Sequence, residues 1–160
     1  LFSAPSLALE VAPAAEDPIA AGTLDAWFQA PEKTTVSPLQ MALVAATLTN
    51  DGYQPAPKLA NSYQDENGNW IAFGQSTTQQ QILDSAVAFR IRERLKAEKQ
   101  AIWYQVGHAN IADDEPLTWY IGGTTPEWTG TPLAIAIAIE GSQPALALQI
   151  GSALLNPAAP

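Results

Sequence analysis

His108 is the only histidine in the 160 residues, and Asp113, Asp114 and Glu115 follow it closely. One imidazole beside three carboxylates suggests either a metal site or an acid–base pair. Metal ions that bind imidazole usually want more nitrogen or sulfur ligands than this, and "ADDE" lacks the spaced oxygen ligands of a calcium loop. A lone histidine on a strand before an acidic loop is the plainer reading, so no metal and no cofactor is expected. Cysteine is absent, which removes thiol nucleophiles, disulfides and thiolate metal sites. Five tryptophans (Trp27, Trp70, Trp103, Trp119, Trp128) raise the question of carbohydrate stacking. Core filling is the expected use of most, because a tryptophan buries a large area and asks for only one N–H partner. Trp103 has an alternative: it shares one side of its strand with Gln105 and Gly107, where the three would line a groove.

Those residues need a strand, and the sequence around them has period two. "AIWYQVGHA" (101–109), "LTWYIGG" (117–123) and "PLAIAIAIE" (132–140) read as successive strands joined by short polar connections, which favours an antiparallel meander. The Ala/Ile alternation of the third suits a central strand with a helix packed closely on one face. "SQPALALQIGSALLN" then reads as a helix capped by Ser142, ended at Asn156-Pro157, with Leu146, Ile150 and Leu154 as its stripe.

Upstream, "SPLQMALVAATLTNDGYQPAPKL" (37–59) spells a capping box of Ser37 with Gln40, Pro38 at the first helical position, and a stop at Asn50-Asp51-Gly52. Its interior has almost no polar face, so the helix must be buried on most sides. Asn67-Gly68 marks a hairpin between strands at 60–64 and 70–73. A second helix is predicted from Thr77 or Thr78, with Gln80 or Gln81 completing its cap, to about Glu98. Its stripes are Ile82, Ala86, Phe89 and Val87, Ile91, Leu95. Five of the seven basic residues (Arg90, Arg92, Arg94, Lys96, Lys99) fall at its end. An acidic partner is one use for them; complementing the helix C-terminus on a wet face is the plainer one.

Hydrophobic residues make up 47% of the chain, which excludes a disordered polymer, and the length suits one domain. A net charge of −9 argues against nucleic acid, which needs clustered bases. No apolar run reaches the roughly 20 residues that span a bilayer. Residues 1–24 read as an extended lead-in with a short "LALEV" strand, 25–100 as a helical part with a hairpin, and 101–160 as three strands and a helix. Leu1 opens the sequence without a signal peptide, as expected of a processed product or a piece of a longer chain. The fold class is α+β, with a three-strand meander plus a hairpin packed against helices.

In this order the words resemble a known family. "FQAPEKTTVSPLQMALVAATLTNDG" from Phe28, "PKL" at 57–59, "WYIGGTTP" at 119–126 and "AIAIAIEGSQPALALQIGSALL" match the C-terminal half of a penicillin-binding protein transpeptidase domain, the fold shared with serine β-lactamases. The resemblance implies a partial transpeptidase-like fold and a bacterial, extracytoplasmic setting, with any membrane anchor upstream. The family's acyl transfer uses Ser-x-x-Lys, Ser-x-Asn and Lys-Thr-Gly. No serine here has lysine three positions on or asparagine two positions on; in the family both motifs lie upstream of the "SPLQMA" segment. Aligning Ala109 with the alanine after the third motif sets Gln105, Val106, Gly107 and His108 where Lys-Thr-Gly-Thr would stand. Gln105 supplies no cation and Val106 no hydroxyl, although the His108 N–H could still serve an oxyanion.

The expectation is therefore a transpeptidase-like domain without catalytic residues, a scaffold or recognition module with a remnant groove at Gln105–His108. Its expected partners are a peptidoglycan peptide or another envelope protein. Two rivals remain open: the C-terminal piece of a D,D-transpeptidase whose nucleophile lies upstream, and a module that pairs through an exposed sheet edge, with a second copy or another chain.

Overall fold

The computed structural model describes residues 36–57, 62–72, 79–110 and 115–155. The expected "LALEV" strand, Trp27, Thr77, Thr78, Asp113, Asp114 and the Asn156-Pro157 stop lie outside the described residues. The element order is α1 (Pro38–Thr49), β1 (Tyr53–Gln54), β2 (Ser62–Gln64), β3 (Trp70–Ala72), β4 (Gln80–Gln81), α2 (Ser85–Leu95), β5 (Ile102–Asn110), β6 (Pro116–Thr124), β7 (Ala134–Glu140) and α3 (Pro144–Leu155). The arrangement is α+β, as the sequence pattern requires.

Helix α1 begins as its capping box dictates. The Ser37 hydroxyl accepts from the Gln40 N–H, and the Gln40 side chain accepts from the Ser37 N–H. It ends where two consecutive residues, Asp51 and Gly52, adopt positive φ. A Cβ on Gly52 would run into the Leu83 carbonyl, so this position is glycine for both conformation and space. Short strand β1 follows and pairs antiparallel with β4, Tyr53 opposite Gln81.

The hairpin also forms as its turn residues require. Tyr63 pairs with Ile71, and Gly68 has φ +83. The Asp65 carboxylate accepts from the Asn67 and Asn69 N–H groups and closes the turn.

Helix α2 departs from expectation at both ends. Gln80 and Gln81 form strand β4 rather than a capping turn, and the cap is Asp84, which accepts from Ala86 and Val87. The helix stops at Leu95 because Lys96 is extended and forms a bridge to Trp103. Its inward face centres on Ala88 and Arg92, flanked by Ile91 and Leu95, while Ala86 and Phe89 face solvent.

The meander β5-β6-β7 is antiparallel throughout, with Val106 opposite Tyr120 and Tyr120 opposite Ile137. The central strand is β6, so β7, expected to be central, stands at the border of this sheet. One sheet face packs on α1 and α2 through Trp103, Ile121 and Ala134, which meet Ala45, Leu48 and Ala88. The other carries Ile102, Tyr120 and the β7 isoleucines against Ala147 and Leu155 of α3. The alternation "AIAIAI" is thereby explained on both faces: alanines let α1 approach closely, and isoleucines fill the layer beneath α3.

Helix α3 turns a different stripe inward from the one expected. Ala147, Gly151 and Leu155 are buried, whereas Leu146, Ile150 and Leu154 are exposed. The cause is Tyr120, whose ring fills the space a Cβ on Gly151 would occupy. The helix start is fastened by the buried Thr118 hydroxyl, which accepts from the Gln143 N–H at 2.8 Å and donates to the Gly141 carbonyl at 2.7 Å. Ser142, expected as the cap, does not supply that bond. Among the described residues no helix is long and apolar enough to cross a membrane.

Candidate functional site

Strand β5 is the border strand on the side away from β7, and it carries Gln105, Val106, Gly107 and His108 consecutively. Which backbone groups face outward follows from two hydrogen bonds at its start. The Ala101 carbonyl accepts from the Thr125 N–H just beyond the end of β6, while the Ile102 carbonyl accepts from the Ala97 N–H on the free side. A strand alternates these directions with period two, so the N–H and C=O groups of Val106 and His108 turn to the free border. The first part of that border is occupied by the Lys96–Trp103 bridge. The stretch at Val106 and His108 has no backbone partner among the described residues.

The side chains divide by face. Val106 is partly buried beneath α3. Gln105 is exposed and folds back along its own strand, its amide donating to the Val106 carbonyl at 2.7 Å. His108 is exposed opposite Thr118. Gly107 is unlike the other glycines of this sheet. A Cβ at Gly122 would press on Leu155 and the Trp103 carbonyl, and one at Gly123 on Thr49 and the Trp103 indole, whereas a Cβ at Gly107 would meet nothing within 4 Å. Packing therefore requires glycine at 122 and 123 but not at 107.

Trp103 does not line a groove. It is fully buried between the sheet and α1, and its indole N–H donates to the Thr49 hydroxyl at 3.2 Å. The alternation did put it on the Gln105 side of the strand, but helix α1 already covers that face at this level.

Arg92 is the residue that sequence reasoning misplaced. The sequence pattern puts it on a wet helix end, yet its side chain is 2% exposed. Its guanidinium donates to the Leu48 carbonyl at 2.6 Å and the Thr49 carbonyl at 3.2 Å, and it pairs with Asp51 at 2.5 Å. Arg92 thus supplies donors and positive charge to the C-terminus of α1 rather than of its own helix. Since Thr49 also holds Trp103, the guanidinium braces the helix end against which β5 is seated. Lys96, opposite Trp103, is engaged elsewhere: its ammonium meets Glu127 at 2.8 Å and Glu93 at 3.8 Å. The hydrogen bond to Glu127 raises the Lys96 pKa, and its counterpart holds the Glu127 carboxyl down at about 2.

No protein-family model matches the chain, and no curated protein matches it in sequence. Solved structures do match. Penicillin-binding protein A from Mycobacterium tuberculosis, in an imipenem acyl-enzyme complex, superposes with a TM-score of 0.67 at 25% identity, covering 79% of this chain and 31% of that one. The D,D-transpeptidase domain of a peptidoglycan glycosyltransferase from Eggerthella lenta matches at a TM-score of 0.57 and 23% identity, covering 74% and 32%. Penicillin-binding protein 3 from M. tuberculosis gives 0.57 at 14% identity, covering 68% and 30%. This chain spans about a third of the length of the structures it matches. The chain carries the fold of part of a penicillin-binding protein transpeptidase domain.

Proposed function

We propose that this chain belongs to a transpeptidase-like domain that does not acylate and that serves a bacterial cell-envelope protein, outside the cytoplasm, as a scaffold or recognition module. The observation that carries this reading is the free border of β5. It offers outward N–H groups at Val106 and His108, the outward His108 carbonyl and an uncovered Gly107; the Val106 carbonyl accepts from the Gln105 amide, and the two positions before the glycine bear an amide and an aliphatic side chain. An extended peptide, such as a peptidoglycan stem, could add to such an edge through main-chain hydrogen bonds. With glutamine and valine where the family's lysine and threonine would stand, these two positions give a substrate carboxylate no electrostatic anchor, a deficit that typically costs acyl transfer a few kcal/mol of transition-state stabilisation.

The rival reading is the C-terminal piece of a D,D-transpeptidase with its nucleophile upstream. One experiment separates the two. The coding sequence is tagged at its own locus, the cells are exposed to a fluorescent β-lactam, and the proteins are resolved on a denaturing gel. The pseudoenzyme reading expects no fluorescence on the tagged polypeptide. A labelled band whose mass moves with the tag refutes it.

A second reading, a module completed by another chain or copy, is favoured by the opposite border. Strand β7 is uncharged from Ala134 to Ile139 and has no outer partner among the described residues, and beside it Leu146, Ile150 and Leu154 of α3 are exposed. A neutral edge next to an apolar helix face is a template for pairing. Molar mass by light scattering over a dilution series tests it; a strict monomer at every concentration argues against self-pairing.

A further inference from the structure

The strands of the β2–β3 hairpin pack chiefly on each other. Their pairing sorts the side chains. Gln64 stands opposite Trp70 and Ser62 opposite Ala72, so these four share one face, with Tyr63 and Ile71 on the other. On the first face Trp70 is 71% exposed, the highest value of any large apolar side chain among the described residues. Core filling therefore does not account for it. The polar groups beside it have hydrogen-bonding capacity to spare. The Gln64 amide donates to the Gly68 carbonyl at 2.9 Å, which fixes its orientation. Its own carbonyl oxygen, the Ser62 hydroxyl and the Trp70 indole N–H meet no partner among the described residues. The Asp65 carboxylate, accepting from the Asn67 and Asn69 N–H groups and from the Asn69 side chain, pins the turn that carries this face.

We propose that this face of the hairpin binds a neutral, β-linked pyranose chain, with Trp70 as the stacking platform and Gln64 and Ser62 as hydroxyl partners. The composition of the face selects this occupant. One side of a β-pyranose is a flat array of C–H groups, slightly positive, which suits the negative face of an indole. Its rim is made of hydroxyls that both donate and accept, which suits an amide oxygen and a serine hydroxyl. A wholly apolar partner would leave those polar groups unpaired. Anions are disfavoured. Residues 62–72 contain no Lys or Arg, the turn bears Asp65 and Glu66, and the hydrogen bonds from Asn69 hold the Asp65 carboxyl below its ordinary value. A nucleic acid, an acidic peptide or an anionic bilayer is therefore repelled. Neither the β5 border nor acylation enters into this binding.

The test titrates the whole chain, labelled with 15N, with the β-1,4-linked tetramers of glucose and of N-acetylglucosamine, followed by NMR. The Trp70 indole N–H signal, identified by its loss in Trp70→Thr, and the Gln64 side-chain amide should shift and saturate with either tetramer, with a dissociation constant on the order of 1 mM. Trp70→Thr keeps strand propensity and should weaken binding at least about fivefold. Gln64→Ala should weaken it about threefold. Trp70→Tyr, which restores a smaller stacking face, should recover part of the affinity, and unmoved Asn67 and Asn69 amide signals report an intact hairpin. The proposal is overturned if neither tetramer shifts these signals at about ten times that concentration, or if Trp70→Thr binds as tightly as wild type. A glucosamine tetramer that binds more tightly than its N-acetylated form, with an advantage that salt removes, overturns it too, since the turn carboxylates would then hold the ligand. So does a shift of the Trp70 indole on dilution of the protein alone, which would make the face a contact between copies.

Discussion

Replacing Arg92 tests whether one buried guanidinium fastens the end of α1. Methionine at this position keeps much of the side-chain volume while removing the donors to the Leu48 and Thr49 carbonyls and the pairing with Asp51. A hydrogen bond with a charged partner contributes about 1.5–3 kcal/mol net, and carbonyls stripped of their donor in a buried setting bear a desolvation penalty. Against this, a buried cation no longer has to be desolvated, which returns part of the loss. The Asp51 side chain is 62% exposed, so its carboxylate recovers hydration, and its share of the pair is at most about 1 kcal/mol. Arg92→Met should therefore cost about 2–4 kcal/mol, and Asp51→Asn, which also tolerates positive φ, about 0.5–1 kcal/mol. For a chain of this length the first corresponds to a drop of roughly 5–15 °C in melting temperature. Thermal and urea unfolding followed by circular dichroism measure both. If Arg92→Met lies within about 1 kcal/mol of wild type, or if Asp51→Asn costs as much, the carbonyl bracing of α1 is not what Arg92 provides.

The glycines make a paired prediction. Gly151→Ala drives a methyl into the Tyr120 ring and should destabilise by about 1–3 kcal/mol or more, whereas Gly107→Ala, with open space around it, should fall within about 0.5 kcal/mol of wild type in the same urea assay. Burial pushes the Tyr120 hydroxyl up to about 12; Ser152 approaches and opposes the rise, but without hydrogen-bond geometry, so the oxygen is buried unpartnered. Because the folded-state value is the higher one, the unfolded chain ionises first. Stability should fall as pH rises from about 10 toward 12, and Tyr120→Phe should flatten that decline. Glu127 behaves oppositely. Its lowered pKa means that its contribution is present above the ordinary glutamate range and is lost as pH falls toward 2, so Glu127→Gln should flatten the acid limb of a pH–stability curve.

Local signals proved legible wherever a segment carries its own instructions. The capping box at Ser37 and Gln40, the stop at Gly52, the Asn67-Gly68 hairpin and the period-two meander each act within a few residues, and each forms as the sequence implies. Gln80 and Gln81 failed for the complementary reason. Their spacing from Thr77 and Thr78 imitates a capping box, but Tyr53 and Gln54, distant in sequence, recruit them into a strand.

The sequence determined the three helical segments, the hairpin, the antiparallel order of the meander, and the residues Gln105 to His108 on one strand, because backbone propensity and side-chain periodicity act locally; β1 and β4 lay beyond it, since each is a strand only through the other. Tertiary structure alone decided which face each helix buries. Helix α3 is apolar almost all round, so no pattern orients it; the fit of Gly151 over Tyr120 does. It also decided that Arg92 goes inward, since its partners at Leu48, Thr49 and Asp51 stand outside its own helix, and that Trp103 is covered while the border at Val106 and His108 has no backbone partner among the described residues. Burial and hydrogen-bond partnership depend on what folds against a surface, and that information is spread over the whole chain.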